Sequence, residues 1–198
     1  YQVFFDQVSE AIHREYPDIM LGMTFAYHDA ESQEGLDIIQ TLNLGDFVPY
    51  TLYLYSPGFV FDRDPDQLDR YLKDMIDLAE GKPIAVVEIG WNTSPNLAGT
   101  EEDQAEFVRE AIRGLEKYAS DIEYLSWFSL YDRDLENSYQ SALTFIPHRP
   151  DLVDDEEFMN SFVDYLNFLG LRKIDGTPKA AWYVFQEETT RYIKEVRR

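Results

Sequence analysis

The chain has 198 residues, a formal net charge of −21 and no cysteine. That length suits one domain with a substantial core. The charge excludes phosphate-backbone and anionic-membrane binding, which need clustered Lys and Arg, and the missing cysteine excludes disulfides and thiolate metal sites. The aromatic share of 15% is high, and it supplies flat faces of the kind on which sugar rings stack. No apolar run approaches the roughly 20 residues of a spanning helix.

In chain order, Phe4, Val8, Ala11 and Ile12 repeat at helical spacing over 3–15, and Pro17 stops that helix. Residues 19–27 read as a buried strand and 33–43 as a short helix ending near Gly45. Residues 47–55 form a second strand, with Pro49 near its start where proline is tolerated. Asp64-Pro65 opens a helix whose apolar face runs through Leu68, Leu72, Met75 and Ala79. Gly81 closes it, and 83–90 is a third strand. Thr100 to Asp103 resembles a capping box ahead of a helix striped by Val108, Ala111, Ile112 and Leu115. Residues 122–130 are a fourth strand, 131–155 read as a loop rich in Asp, Asn and Pro, and helices resume at 156–168 and 179–195.

Strands alternating with helices imply a parallel sheet covered by helices. The repeat of roughly 40 residues is near the per-unit size of a (β/α)8 barrel. The expected fold class is therefore α/β, a (β/α)8-type barrel of which about four βα units are present, in a single domain spanning 1–198.

In such folds the chemistry gathers at the carboxyl ends of the strands. The four ends offer Tyr27-His28-Asp29, Tyr53 with Tyr55-Ser56, Glu88 with Trp91-Asn92, and Trp127 with Tyr131-Asp132. Glu88 stands out: an acid near the end of the β-branched run Ile84-Ala85-Val86-Val87, where burying a carboxylate is costly unless it is paired. Strand alternation puts it on one face with Val86 and Ile84, and puts Leu125 with Trp127. Carboxylates with aromatics are the equipment of glycoside hydrolysis. With three His and no Cys, metal-bound water is disfavoured, no cofactor is expected, and Asp132 with Asp134 make too small a set for a calcium loop.

Val87-Glu88-Ile89-Gly90-Trp91 resembles the seventh strand of the retaining clan A glycoside hydrolases. Leu125-Ser126-Trp127-Phe128-Ser129 resembles their eighth, and Asp46-Phe47 through Tyr55-Ser56-Pro57 their sixth. Gly170 through Ala181 is similar to the segment that closes the barrel. The resemblance implies that Glu88 is the nucleophile, that Tyr55 is a phenol donating to it and holding it ionised, and that Trp127 floors the sugar subsite. Trp91, Tyr53, His28 and Asn92 follow as substrate contacts, with a carbohydrate as the bound partner. It also calls for an Asn-Glu acid/base at the end of an earlier strand. None precedes the strand at residue 19, so this sequence is expected to be the C-terminal half of the barrel, with its proton donor elsewhere. The alternative is a non-catalytic truncated barrel or carbohydrate-binding relic. A half-barrel would expose unpaired strand edges, at which the N-terminal half or a second copy is expected to associate.

Overall fold

The computed structural model describes residues 1–56, 59–61 and 65–195. In chain order its elements are α1 (Gln2–Glu15), β1 (Phe25–Ala26), α2 (Gln33–Thr41), β2 (Val48–Leu52), β3 (Tyr55–Ser56), β4 (Val60–Phe61), α3 (Pro65–Leu78) and β5 (Ile84–Ile89). There follow α4 (Glu101–Lys117), β6 (Ile122–Trp127), α5 (Leu135–Phe145), α6 (Pro150–Val153), α7 (Glu156–Asn167) and α8 (Ala180–Glu195). Residues group into two compact units with interleaved sequences. The chain leaves the first for the second at the carboxyl ends of β2, β5 and β6, after Leu52, Ile89 and Ser126.

The first unit (Tyr1–Leu52, Asp69–Ile89 and Lys117–Ser126) holds the sheet, in the order β1-β2-β5-β6. β1 runs parallel to β2, and β2 parallel to β5. With the helices between them, these strands form an α/β half-barrel pattern. The core is apolar: Val48, Leu52, Leu72, Met75, Ala79, Ile84, Val86 and Ile89 are all buried to 2% exposure or less.

The register of β2 against β5 contains one irregularity. Val48, Pro49 and Tyr50 face Ile84, Ala85 and Val86, but Thr51 then faces Glu88 and Leu52 faces Ile89. Val87 is the extra residue of a bulge. Partners in a parallel ladder share a face, so Val48, Tyr50, Leu52, Ile84, Val86 and Ile89 lie on one side and Pro49, Thr51, Ala85 and Glu88 on the other. The expectation that Glu88 shares a face with Val86 and Ile84 is therefore corrected, because the bulge shifts the period by one. On the first side, Tyr27 in the turn after β1 sets its ring against Tyr50 (6.4 Å) and against Tyr71 of α3 (5.0 Å).

Three local expectations change. Residues 19–24 are not strand, because Leu21 is held across to Asp46, its N–H donating to the Asp46 carboxylate (2.9 Å) and its carbonyl accepting from Asp46 N (2.7 Å). Only Phe25–Ala26 joins the ladder. The expected loop 131–155 holds α5 and α6. Asp134 caps α5 by accepting from Asn137 N (2.9 Å), so the Asp there starts a helix rather than marking a loop. Tyr55–Ser56 pairs antiparallel with Val60–Phe61 as a hairpin that sequence reading did not separate from the strand before it. The proposed cap Asp64 lies outside the described residues, whereas Thr100 accepts from Asp103 N (3.0 Å) as expected of a capping box.

Tyr50 is fully buried, and its hydroxyl has no hydrogen-bond partner among the described residues. Burial pushes its phenol well above the usual tyrosine range. The raised folded value means that this group's contribution to stability is whole below about pH 10, the unfolded tyrosine value, and is lost as pH rises beyond it. Tyr50→Phe removes an unsatisfied buried hydroxyl and should gain about 1 kcal/mol in denaturant melts at pH 7. It should also flatten the loss of stability above pH 10. A variant less stable than wild type with an unchanged alkaline slope would show that the hydroxyl is satisfied.

Candidate active site

Within the first unit, Glu88 stands second from the carboxyl end of β5, half-buried beside half-buried Thr51. At the same level the opposite side is closed by Leu52 (1% exposed) and Ile89 (0%). At this level the carboxylate thus lies on the less covered side of the sheet, at the carboxyl end of β5. His28 sits in the 3-10 turn Tyr27–Glu31, with Nδ1 3.6 Å from the Glu31 carboxylate. The side chain of Asp29 is outside the description. Tyr27 donates to Asp74 (3.3 Å), and burial first, then the Asp74 charge, push its phenol upward.

The second unit (Tyr53–Leu68, Gly90–Glu116 and Trp127–Arg198) holds the other sequence-selected residues in two groups. Tyr53 and Tyr55 both set their rings edge-on to Tyr165 of α7, at 5.7 and 5.4 Å. Pro57, the third residue of the resembling motif, lies outside the described residues. Trp91 and Trp127 both pack on Phe107 of α4, at 4.9 and 6.1 Å. A Cβ on Gly90 would come 3.2 Å from the Tyr53 ring, so the glycine after β5 leaves room for that tyrosine. Trp127 is half-buried and its indole N–H donates to the Leu169 carbonyl (3.1 Å).

Trp91 is 4% exposed and Asn92 fully buried. The Asn92 amide donates to the carbonyls of Asp164 (2.9 Å) and Tyr165 (2.8 Å), while its oxygen accepts from Ser94 N (2.6 Å). These bonds commit Asn92 to tying the segment after β5 onto α7.

Sequence reading missed the polar core beneath these groups. Gln104 of α4, fully buried, donates to the carbonyls of Trp91 (2.8 Å), Gly170 (3.2 Å) and Leu169 (3.4 Å). Lys179 (1% exposed) donates to Asp132 (2.7 Å), Thr93 Oγ1 (2.8 Å) and the Phe168 carbonyl (3.3 Å). Gly170 N also donates to Asp132 (3.0 Å), and a Cβ on Gly170 would stand 2.2 Å from Asp132 N, so only glycine allows that approach. Burial is the main influence on both ions, raising Asp132 and lowering Lys179, with their mutual hydrogen bond and charge opposing it. A lone Lys just after Thr177-Pro178 reads as a helix start; only its burial reveals an ion pair.

The sequence matches no family model and no curated protein. Solved structures do match it. Faecalibacterium prausnitzii β-glucuronidase aligns over 96% of this chain and 28% of its own, with 20% identity and a TM-score of 0.58. The β-glycosidase BGL167 aligns over 90% and 46%, with 17% identity and a TM-score of 0.56. Native xylanase 10B from Thermotoga maritima aligns over 90% and 49%, with 15% identity and a TM-score of 0.55. This chain shares an α/β half-barrel fold with part of each of these structures. It spans less than half the length of each of these three proteins. Barrels of this class carry their active sites at the carboxyl face of the sheet, the end of β5 at which Glu88 stands.

The Asp132–Lys179 pair yields a double-mutant prediction. Lys179→Met leaves a buried carboxylate unpaired and should cost about 3–5 kcal/mol in chemical denaturation. Adding Asp132→Asn should recover part of that loss. Strict additivity of the two changes would mean that the ions do not support one another.

Proposed function

We propose that residues 1–198 form the nucleophile-bearing part of a retaining glycoside hydrolase acting on β-glycosidic bonds in a glycan. The observation that carries this reading is the placement of Glu88 at the carboxyl end of a parallel strand, on the side opposite buried Leu52 and Ile89. The barrel neighbours support it, being named as a β-glucuronidase, a β-glycosidase and a xylanase.

In this reading the Glu88 carboxylate attacks the anomeric carbon, and the bond to the leaving oxygen breaks as an acid protonates that oxygen. Water, deprotonated by the same group, then attacks the glycosyl–enzyme ester, releasing the sugar and restoring the carboxylate. Tyr55 donates its phenol hydrogen to the nucleophile, and Trp127 offers an aromatic face to the sugar. Tyr53, His28, Trp91 and Asn92 are the further residues assigned to substrate contact in this reading. The acid/base belongs to protein outside these residues, on the same chain or another, whose strands extend the sheet beyond β1 and β6. Its carboxyl group would stand about 5–5.5 Å from that of Glu88, the separation of retaining enzymes.

In the protein that contains these residues, Glu88→Gln should abolish turnover of p-nitrophenyl β-glycosides while leaving the folded structure intact. A 2-deoxy-2-fluoro β-glycoside with a good leaving group should label the wild-type peptide containing Glu88, by mass spectrometry. Label on another carboxylate, or near wild-type turnover by the glutamine variant, would sink the assignment.

A further inference from the structure

The hairpin that follows the β2 strand contains an unusual backbone. Phe59, between β3 and β4, has a φ of 61°. A bulky residue takes up this left-handed conformation only where its surroundings over-determine it, and such residues gather at functional sites. The surroundings here are aromatic. The Phe59 ring stacks on Phe162 at 4.9 Å, with an interplanar angle of 5°, and on Tyr165 at 5.1 Å and 29°. Phe158 stands 5.6 Å away. Phe158, Phe162 and Tyr165 recur at helical spacing, so α7 presents them as one shelf. On its other flank Phe59 meets Tyr55 at 5.4 Å, and Tyr55 meets Tyr165 at the same distance. Tyr55 is thus clasped between the residue with the strained backbone and the shelf that holds it.

We infer that Phe59 is a positioning residue that fixes the ring of Tyr55, and so sets the direction in which the phenol donates. The inference rests on the reading of Tyr55 as the partner of the nucleophile. A left-handed residue is what a three-residue hairpin loop calls for at its last position, and here that position carries a ring set against Tyr55 where a glycine would serve the turn.

The geometry supplies a convenient variant. Phe59→Gly removes the ring and relieves the backbone together, so the hairpin is not forced out of its turn. In the protein that contains these residues, assayed with p-nitrophenyl β-glycosides, Phe59→Gly should lower kcat by about tenfold or more with KM little changed, towards the hundredfold that a misplaced catalytic group costs. Phe59→Tyr keeps a stacking ring and should recover most of the loss. Tyr55→Phe should lower kcat on its own, and adding Phe59→Gly to it should cost little more. If Tyr55→Phe is impaired but Phe59→Gly turns over like wild type, or if the two losses multiply, Phe59 does not act through Tyr55. If Tyr55→Phe is itself unimpaired, the reading of Tyr55 fails, and the role of Phe59 fails with it.

Discussion

One extra residue in β5 governs how this sheet presents its acid. Without the bulge at Val87, the two-residue period of the strand would turn Glu88 towards the side where Tyr50, Ile84 and Val86 are buried. A carboxylate there would have to be desolvated against an apolar layer, at a cost of several kcal/mol. The bulge moves it to the side of Thr51, where it remains half-buried, while Ile89 returns to the core beside Leu52. The strand thus keeps its apolar anchor and displays its acid one residue earlier.

The second unit answers a different constraint. Its segments after β5 and β6 are irregular, and irregular backbone that is buried must find partners for its carbonyls and N–H groups. Gln104, Asn92 and Lys179 each make two or more bonds to the stretches 91–94, 131–133 or 164–170, and Asp132 accepts from Gly170 N as well as from Lys179. The buried ion pair is costly to desolvate, as the opposed shifts of its two members indicate, and it persists because several further hydrogen bonds complete it. The apolar cluster of Ala105, Val108, Leu171, Ala181 and Val184 closes over the same region between α4 and α8.

Much of this was legible in the sequence. The parallel alternation, the helices 2–15, 101–117 and 180–195, and the strand carrying Glu88 follow from periodicity and capping residues, which act over a few neighbouring positions. Where local signals competed, the reading failed. Residues 19–24 have strand composition, yet their backbone is taken by Asp46, 25 residues from Leu21. The Asp- and Asn-rich stretch from 131 has loop composition, yet Asp134 spends its carboxylate on a helix cap. The bonds that hold Asn92 lay beyond any local reading, because its carbonyl partners are more than 70 positions away.

By itself the sequence determined the fold class and the existence of an acid at a strand end, because both rest on short-range periodicity and on the cost of burying charge. Tertiary structure alone decided which face that acid occupies, which of its chain neighbours are buried, and that Phe59 holds Tyr55 against α7. Those outcomes depend on register and on contacts between distant segments: a single inserted residue exchanges the faces of a strand, and a side chain's partners are settled only when the chain has closed around it.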